Sequence, residues 1–286
     1  MSVASMERTR AHERPMVLST DRGFQRGDGI FETLSVVGGK PQALDLHLNR
    51  FETSAAALAM PKPDRESWHS MVLRAIDENP SDQAQYLKFM VSRGQESVDR
   101  PATVDANFGP TAILYIADAA SYETARASGI SAVFLDSGRD SGAAARAPWL
   151  LLGAKTLSYA VNMAIARAAG ARGADEAILT TTDGYVLEAS SSTVVALIDG
   201  VYCTPDASIG ILPGTSQVSL FEGLDARGEK TRRGLITQDE LRAADGVWLV
   251  SSVRMAVPVH TLDGSALPVN PELTVMLNDM LLAREN

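Results

Sequence analysis

The sequence predicts an α+β fold in two domains, and three observations lead there. Its 286 residues are roughly twice a common domain length and 45% of them are apolar, enough for a sizeable core. Within the first 118 residues, β-rich runs flank two segments of helical periodicity. Beyond about residue 130, short strand-like runs recur between hairpin turns and helical stretches, the pattern of a β-rich, barrel-like domain with helical inserts.

The elements follow in order. Residues 30–37, IFETLSVV, are β-formers running into Gly38-Gly39, a strong hairpin signal. In LDLHLNRFETSAAALAM, the residues Leu44, His47, Leu48, Phe51, Ala55 and Leu58 recur at three- and four-residue steps and so share one helix face, with Arg50 beside it. A second amphipathic helix carries Trp68, Met71, Val72, Ala75 and Ile76 and stops before Asn79-Pro80. YLKFMVSRG (86–94) and TAILYIA (111–117) read as strands around a polar loop at 94–110.

The apolar pattern breaks over DAASYETARASG (118–129), so the domains are placed at 1–120 and 121–286, with disorder expected over the first roughly 15 residues. ISAVFLD then opens a new strand. Hairpin turns are predicted at Asp183-Gly184 and Asp199-Gly200, and helices over about 157–171 and 216–228. Thr237 and Glu240 fit a T-x-x-E capping box, a structural motif that starts a short helix. The small-residue run SGAAARA at 141–147 is expected to be an ordered or lid-like loop.

Composition removes several function classes. With 26 basic and 35 acidic residues the formal charge is −9, which repels a nucleic-acid backbone at long range. No stretch approaches the roughly 20 apolar residues of a membrane span, and MSVASMERTRAHERP lacks a signal-peptide core, so a cytoplasmic location is expected. The lone Cys203, in the strand-like VYCT, is read as a packing residue. His12, His47, His69 and His260 show no spacing that presents two ligands to one metal, so no metal site is expected.

Three places could carry chemistry. Lys155 is the only charged residue in PWLLLGAKTLSYAVNMA; an amine held there is desolvated, which disfavours the ammonium and favours attack on a carbonyl. The alternative is a lysine snorkelling from a helix start. Glu188 ends the strand-like GYVLE and precedes ASSST, whose hydroxyls, Ser191 among them, suit a polar ligand; a solvated strand-end glutamate is the plainer reading. IGILPGTSQ (209–217) is a Gly-rich turn into a helix, where backbone N–H groups and the Thr215 and Ser216 hydroxyls could meet an anion, although such a start is also a routine N-cap. Amine, carboxylate and anion cradle are together the parts of a pyridoxal-phosphate site.

The segments DRGFQRGDGIFETL, LHLNRF, KTLSYAVN, ADEAILTTTDGYVLEASSST, GILPGT and SSVRMAVPV stand in the order seen in class IV aminotransferases, which the chain resembles over nearly all its length after residue 20. The resemblance implies a fold-type IV enzyme: a small α/β N-terminal domain, a larger pseudobarrel domain, and pyridoxal 5′-phosphate (PLP) in the cleft between them. It implies a homodimer as well. Lys155 matches the Schiff-base lysine and Glu188 the acid opposite the pyridine nitrogen, although Leu187 and Thr193 stand where the family usually has Thr and Asn. His47-x-x-Arg50 implies a phosphate contact for Arg50; Thr215 and Ser216 match the phosphate turn, and Ser252 is placed nearby.

Within the family, KTLSY, VNMA, TDGYVLE and STVV most resemble actinobacterial-type 4-amino-4-deoxychorismate lyases, which release 4-aminobenzoate and pyruvate for folate synthesis. Lys88 and Arg93 lie in an L-K-x-x-x-S-R-G pattern that in lyases meets a substrate with two carboxylates; ordinary surface cations are the other reading. Phe31 stands where D-amino-acid transaminases tend to have a tyrosine, and is read with Lys88, Arg93 and Arg100 as lining the substrate site, the arginines as residues that serve a neighbouring subunit. A transaminase of D-amino-acid or branched-chain type, and a PLP-binding protein without turnover, remain the alternatives.

Overall fold

The computed structural model describes residues 17–95 and 109–284. The expected disorder at the N-terminus and Arg100 lie outside the described residues. The chain forms two compact units, one comprising the described residues to Ala119 together with Ala154–Tyr159, the other Ala120–Gly153 and the described residues from Ala160 onward.

In the first unit, helix α1 (Arg22–Arg26) is capped by the Asp21 carboxylate, which accepts from Gly23 and Phe24 N–H, and ends at left-handed Gly27. Strand β1 (Gly29–Val37) turns through Gly38 and Gly39, both at positive φ, into β2 (Lys40–Pro41), the backbone that a two-residue primed turn requires. Helices α2 (Leu44–Ala57) and α3 (Arg65–Asp77) follow, then β3 (Gln85–Ser92) and β4 (Ala112–Asp118). The sheet is antiparallel in the order β2-β1-β3-β4.

Strand alternation sends Ile30, Glu32, Leu34 and Val36 to one face with Leu87, Phe89 and Val91, all buried. Every helix residue expected to face the core in α2 and α3 is buried. Phe51, Trp68 and Phe89 interlock there, with Phe51 edge-on to both partners at 4.9–5.2 Å.

The second unit contains α4 (Glu123–Ser128), β5 (Ile130–Asp136), α5 (Ala143–Arg146), α6 (Ala160–Gly170), β6 (Glu176–Thr180), β7 (Val186–Ala189), β8 (Thr193–Ile198) and β9 (Val201–Pro205). It continues with α7 (Thr215–Ala226), β10 (Thr231–Gly234), α8 (Gln238–Arg242), β11 (Gly246–Ser251), β12 (Met255–Leu262), β13 (Ser265–Ala266) and α9 (Pro271–Leu282). Its sheet runs β10-β9-β8-β11-β12-β5-β6-β7, with β13 attached to β12. Parallel pairs β9/β10, β12/β5 and β5/β6 sit among antiparallel ones, and β7 at the far end approaches β8 and β9, so the sheet curls into a half-barrel.

The period of two divides this sheet's side chains between two cores. Val194, Ala196, Val247, Leu249 and Val257 face the inside of the curl, where Cys203 also packs. Val195, Trp248, Val250 and Ala256 meet Leu220, Phe221 and Leu224 of α7 and Leu277 and Leu281 of α9 on the outside. The Asp199-Gly200 turn is a tight hairpin with both residues at positive φ, and the Thr237/Glu240 capping box forms as expected. No described helix is long and apolar enough to cross a membrane.

Two local expectations change. Residues 143–146 of the small-residue run form the one-turn helix α5 rather than a loop, as alanine's helix propensity allows. The helix expected from 157 begins at Ala160, because the preceding residues are extended against β1: Ile30 bridges Thr156, Leu157 N–H donates to Gly29 O at 2.8 Å, and Ser158 Oγ donates to Gly27 O.

Candidate active site

The candidate residues form two groups, one in each unit. In the first, the same extended segment fixes Lys155: Phe31 N–H donates to Lys155 O at 3.1 Å, and Lys155 N–H donates to Ser54 Oγ on α2 at 3.1 Å. The Lys155 ammonium therefore stands over the face of the Phe31 ring, 4.5 Å from its centroid. Lys88 Nζ from β3 also lies 4.5 Å from that centroid, and Tyr159 packs edge-on against the ring at 5.5 Å. Lys88 is half-buried, and the resulting desolvation lowers its pKa from the ordinary lysine value.

Behind Phe31, on the opposite face of β1, Glu32 is fully buried. Its carboxylate takes Arg50 Nε and Nη2 at 2.8 Å each, and it lies 2.7 Å from His47 Nδ1. Burial alone would raise the Glu32 carboxyl, but the Arg50 charge and the hydrogen bonds from Arg50 and His47 outweigh it and hold its pKa down at about 2. Thus His47-x-x-Arg50 is one clamp, with both side chains on the same helix face. Arg93 does not join Lys88: its Nε donates to Asp28 at 2.8 Å, and its Nη groups donate to Leu58 O and Ala59 O just past α2.

In the second unit, Glu188 near the end of β7 accepts Leu212 N–H on Oε2 at 3.1 Å, which ties it to the turn before α7. That turn ends at Gly214, the N-cap of α7, which has no side chain to cap the helix. A Cβ at Gly214 would lie 2.4 Å from Thr193 Oγ1, so the threonine that follows the serine run would have to move to admit any larger residue here. Thr215 Oγ1 and Ser252 Oγ stand 3.3 Å apart at the helix start, while Ser216 Oγ accepts Arg284 Nη1 at 3.1 Å. Ser191 is the exposed member of its run, between buried Ser190 and Ser192.

Arg139 escaped the sequence reading. It donates through Nη2 to Gly210 O at 3.1 Å and lies close enough to Glu188 for their charges to interact. Burial lowers its pKa and the Glu188 carboxylate opposes that shift. Only its place just past β5, in GRDSG, could have flagged it. Among the described residues no group of three or more His, Cys, Asp or Glu side chains gathers as a metal site.

The family profile of amino-transferase class IV matches residues 29–262. Over 266 residues the chain is 38% identical to the bifunctional aminodeoxychorismate lyase / D-amino acid transaminase of Mycobacterium tuberculosis, across 90% of this chain and 89% of that protein. It is similar to a fold IV-transaminase from Curtobacterium pusillum, with 42% identity and a TM-score of 0.89 over 96% of this chain and 93% of the other. The PLP-bound form of a hypothetical aminotransferase from Mycobacterium tuberculosis matches at 36% identity and TM-score 0.89, over 96% and 95%.

The fold is thus that of the fold-type IV enzymes that depend on pyridoxal phosphate. The chain belongs to the class IV aminotransferase family, whose members include lyases and transaminases acting on small molecules. The donor chemistry suits the cofactor: a hydroxyl pair at a helix N-terminus for a phosphate, a carboxylate for a protonated ring nitrogen, and an amine for an aldehyde.

Proposed function

We propose that the protein is an aminodeoxychorismate lyase, releasing 4-aminobenzoate and pyruvate from 4-amino-4-deoxychorismate. The observation that carries this reading is the pair of ammonium groups on one aromatic ring: Lys155 and Lys88 each stand 4.5 Å from the Phe31 centroid. One amine serves the chemistry, and the second, half-buried, offers a charge to a substrate carboxylate. Phe31 itself contributes no hydroxyl.

In this reading Lys155 holds the cofactor, Glu188 faces its pyridine nitrogen, and Arg50, Thr215, Ser216, Ser252 and Ser191 hold the phosphate and ring. When bound, PLP supplies an aldehyde for the substrate amine and a ring that withdraws electrons from the neighbouring carbon. With the cofactor in place, Lys155 Nζ would be the base that takes the proton from the substrate carbon bearing the amine. The bond to the enolpyruvyl oxygen then breaks, the six-membered ring becomes aromatic, and enolpyruvate leaves and takes up a proton as pyruvate. Glu188, which accepts Leu212 N–H, would supply the negative charge that favours a protonated ring nitrogen. Lys88 binds a substrate carboxylate, and Phe31 sets the distance between the two amines.

A second reading, amino-acid transamination at the same site, is supported by the bifunctional name of the Mycobacterium tuberculosis relative. A homodimer belongs to the proposal too: the second unit leaves Trp149 75% exposed and, in the apolar helix α6, Val161 and Met163 exposed, large apolar side chains that a second copy would cover.

The test is to supply PLP-loaded protein with enzymatically generated aminodeoxychorismate and follow 4-aminobenzoate and pyruvate, with D- and L-amino acids plus 2-oxo acids in parallel. Equal amounts of 4-aminobenzoate and pyruvate, lost in Lys155→Ala, are expected. Amino-group exchange without 4-aminobenzoate would replace the lyase reading with the transaminase one. Silence in both assays with PLP bound would leave a binding protein.

A further inference from the structure

Glu176, the first residue of β6, is buried with 4% of its surface exposed and has no part in the chemistry above. A buried carboxylate is costly unless its oxygens are satisfied. Here Oε1 accepts Ser190 Oγ at 2.7 Å and Ala177 N–H at 3.1 Å, and Oε2 faces Arg254 Nη2 at 3.3 Å. The same Arg254 nitrogen donates to Ser192 Oγ at 3.1 Å. Asn162 Nδ2, from α6, donates to Ser190 O at 2.7 Å.

These bonds converge on two turns. One joins β7 to β8 and is closed by Ala189 N–H on Ser192 O; it carries Glu188 before it and Ser191 at its tip. Ser190 and Ser192, on either side of Ser191, are both held inward by the network, which leaves Ser191 as the outward hydroxyl. The other turn joins β11 to β12 and carries Ser252, with Arg254 two residues on and Met255 at φ 60, a left-handed conformation that a methionine adopts only under constraint. A single buried carboxylate is thus bonded to both turns.

Resting on the cofactor roles proposed above, we infer that Glu176 and Arg254 are positioning residues that lock the Glu188–Ser191 turn and the Ser252 turn into the arrangement that receives PLP. Neither is among the residues assigned to the cofactor above. They set where the ring-nitrogen acid, the Ser191 hydroxyl and the phosphate hydroxyl stand relative to one another within the second unit. Partners that orient ligand-bearing groups in this way typically carry ten- to hundredfold effects on affinity, as they do at metal sites.

The experiment measures PLP dissociation from the full-length protein by equilibrium dialysis, the absorbance maximum of the bound cofactor, and the melting temperature of the apo-protein. The variants are Glu176→Ala, the isosteric Glu176→Gln, Arg254→Met, the double Glu176→Gln/Arg254→Met, and Ser252→Ala as the control for the cofactor assignment. Glu176→Ala is expected to weaken PLP binding about 10- to 100-fold. Glu176→Gln, which keeps an acceptor for Ser190 but turns an amide toward Arg254, should be affected less. The double variant should be no weaker than Arg254→Met alone, because the two side chains act as one unit. A shifted absorbance maximum in the variants, with the apo-protein still folded, marks displacement of the ring-facing groups. Unchanged affinity and absorbance in Glu176→Gln and Glu176→Ala, with Ser252→Ala weakened, overturns the inference alone. Unchanged binding in Ser252→Ala as well removes the cofactor assignment and the inference with it.

Discussion

Replacing Glu32 with glutamine should cost stability in a way that depends on pH. The native carboxyl titrates at about 2 against a reference of 4.5, a difference of about 2.5 units, or roughly 3 kcal/mol of stabilisation at neutral pH. The sign follows from linkage. A carboxyl depressed in the folded state binds fewer protons there than when unfolded, so its contribution is complete above pH 4.5 and lost as pH falls toward 2. Integrating between the two pKa values leaves only a little over 1 kcal/mol at pH 3, so about 2 kcal/mol should disappear between pH 7 and pH 3. Glutamine also removes the charge opposite the Arg50 guanidinium, whose side chain is only 9% exposed, which adds a cost at neutral pH. Urea unfolding of apo-protein, wild type against Glu32→Gln, should therefore show a deficit at pH 7 that narrows by about 2 kcal/mol at pH 3. A deficit of equal size at both pH values would refute the argument that the buried carboxylate is ionised and clamped.

Lys88→Met should lower kcat/KM for aminodeoxychorismate by about 10- to 100-fold, as the loss of a charge-assisted hydrogen bond does, while leaving PLP binding intact; steady-state kinetics with dialysis checks both. Gly214→Ala drives a methyl group to 2.4 Å from Thr193 Oγ1 and should weaken PLP retention, with partial recovery in Gly214→Ala/Thr193→Ala, read by dialysis. If the proposed homodimer uses the exposed apolar side chains of α6, Val161→Glu and Met163→Glu, made singly, should shift a dimer toward monomer in analytical ultracentrifugation.

The parts of this structure that the sequence announces are those governed by near neighbours. The buried faces of α2 and α3 follow from three- and four-residue spacing, and the Asp199-Gly200 hairpin follows from two residues that tolerate positive φ. The capping box at Thr237 is complete within four residues. The parts that stay hidden depend on partners far along the chain. Nothing near 157 reveals that Leu157 bonds to Gly29, so the helix start is misplaced by three residues. Glu32 reads as an alternating strand residue until Arg50, 18 residues on, closes on it. The Glu176–Arg254 pair spans 78 positions. Lys155 and Glu188 were visible as unusual residues in apolar or hydroxyl-rich settings, whereas the ring that Lys155 and Lys88 share required the register of three separated segments.

The six residues Ala154–Tyr159 fold as part of the first unit although the chain on both sides of them belongs to the second. The backbone bonds from Leu157 to Gly29 and from Phe31 to Lys155 make that membership physical. Dissecting the protein at residue 120 would therefore produce an N-terminal fragment lacking the segment that lies against its first strand, and a C-terminal fragment in which Lys155 has lost its backbone bonds to Phe31 and Ser54. Moving the first unit into another protein would therefore require carrying this short strap along.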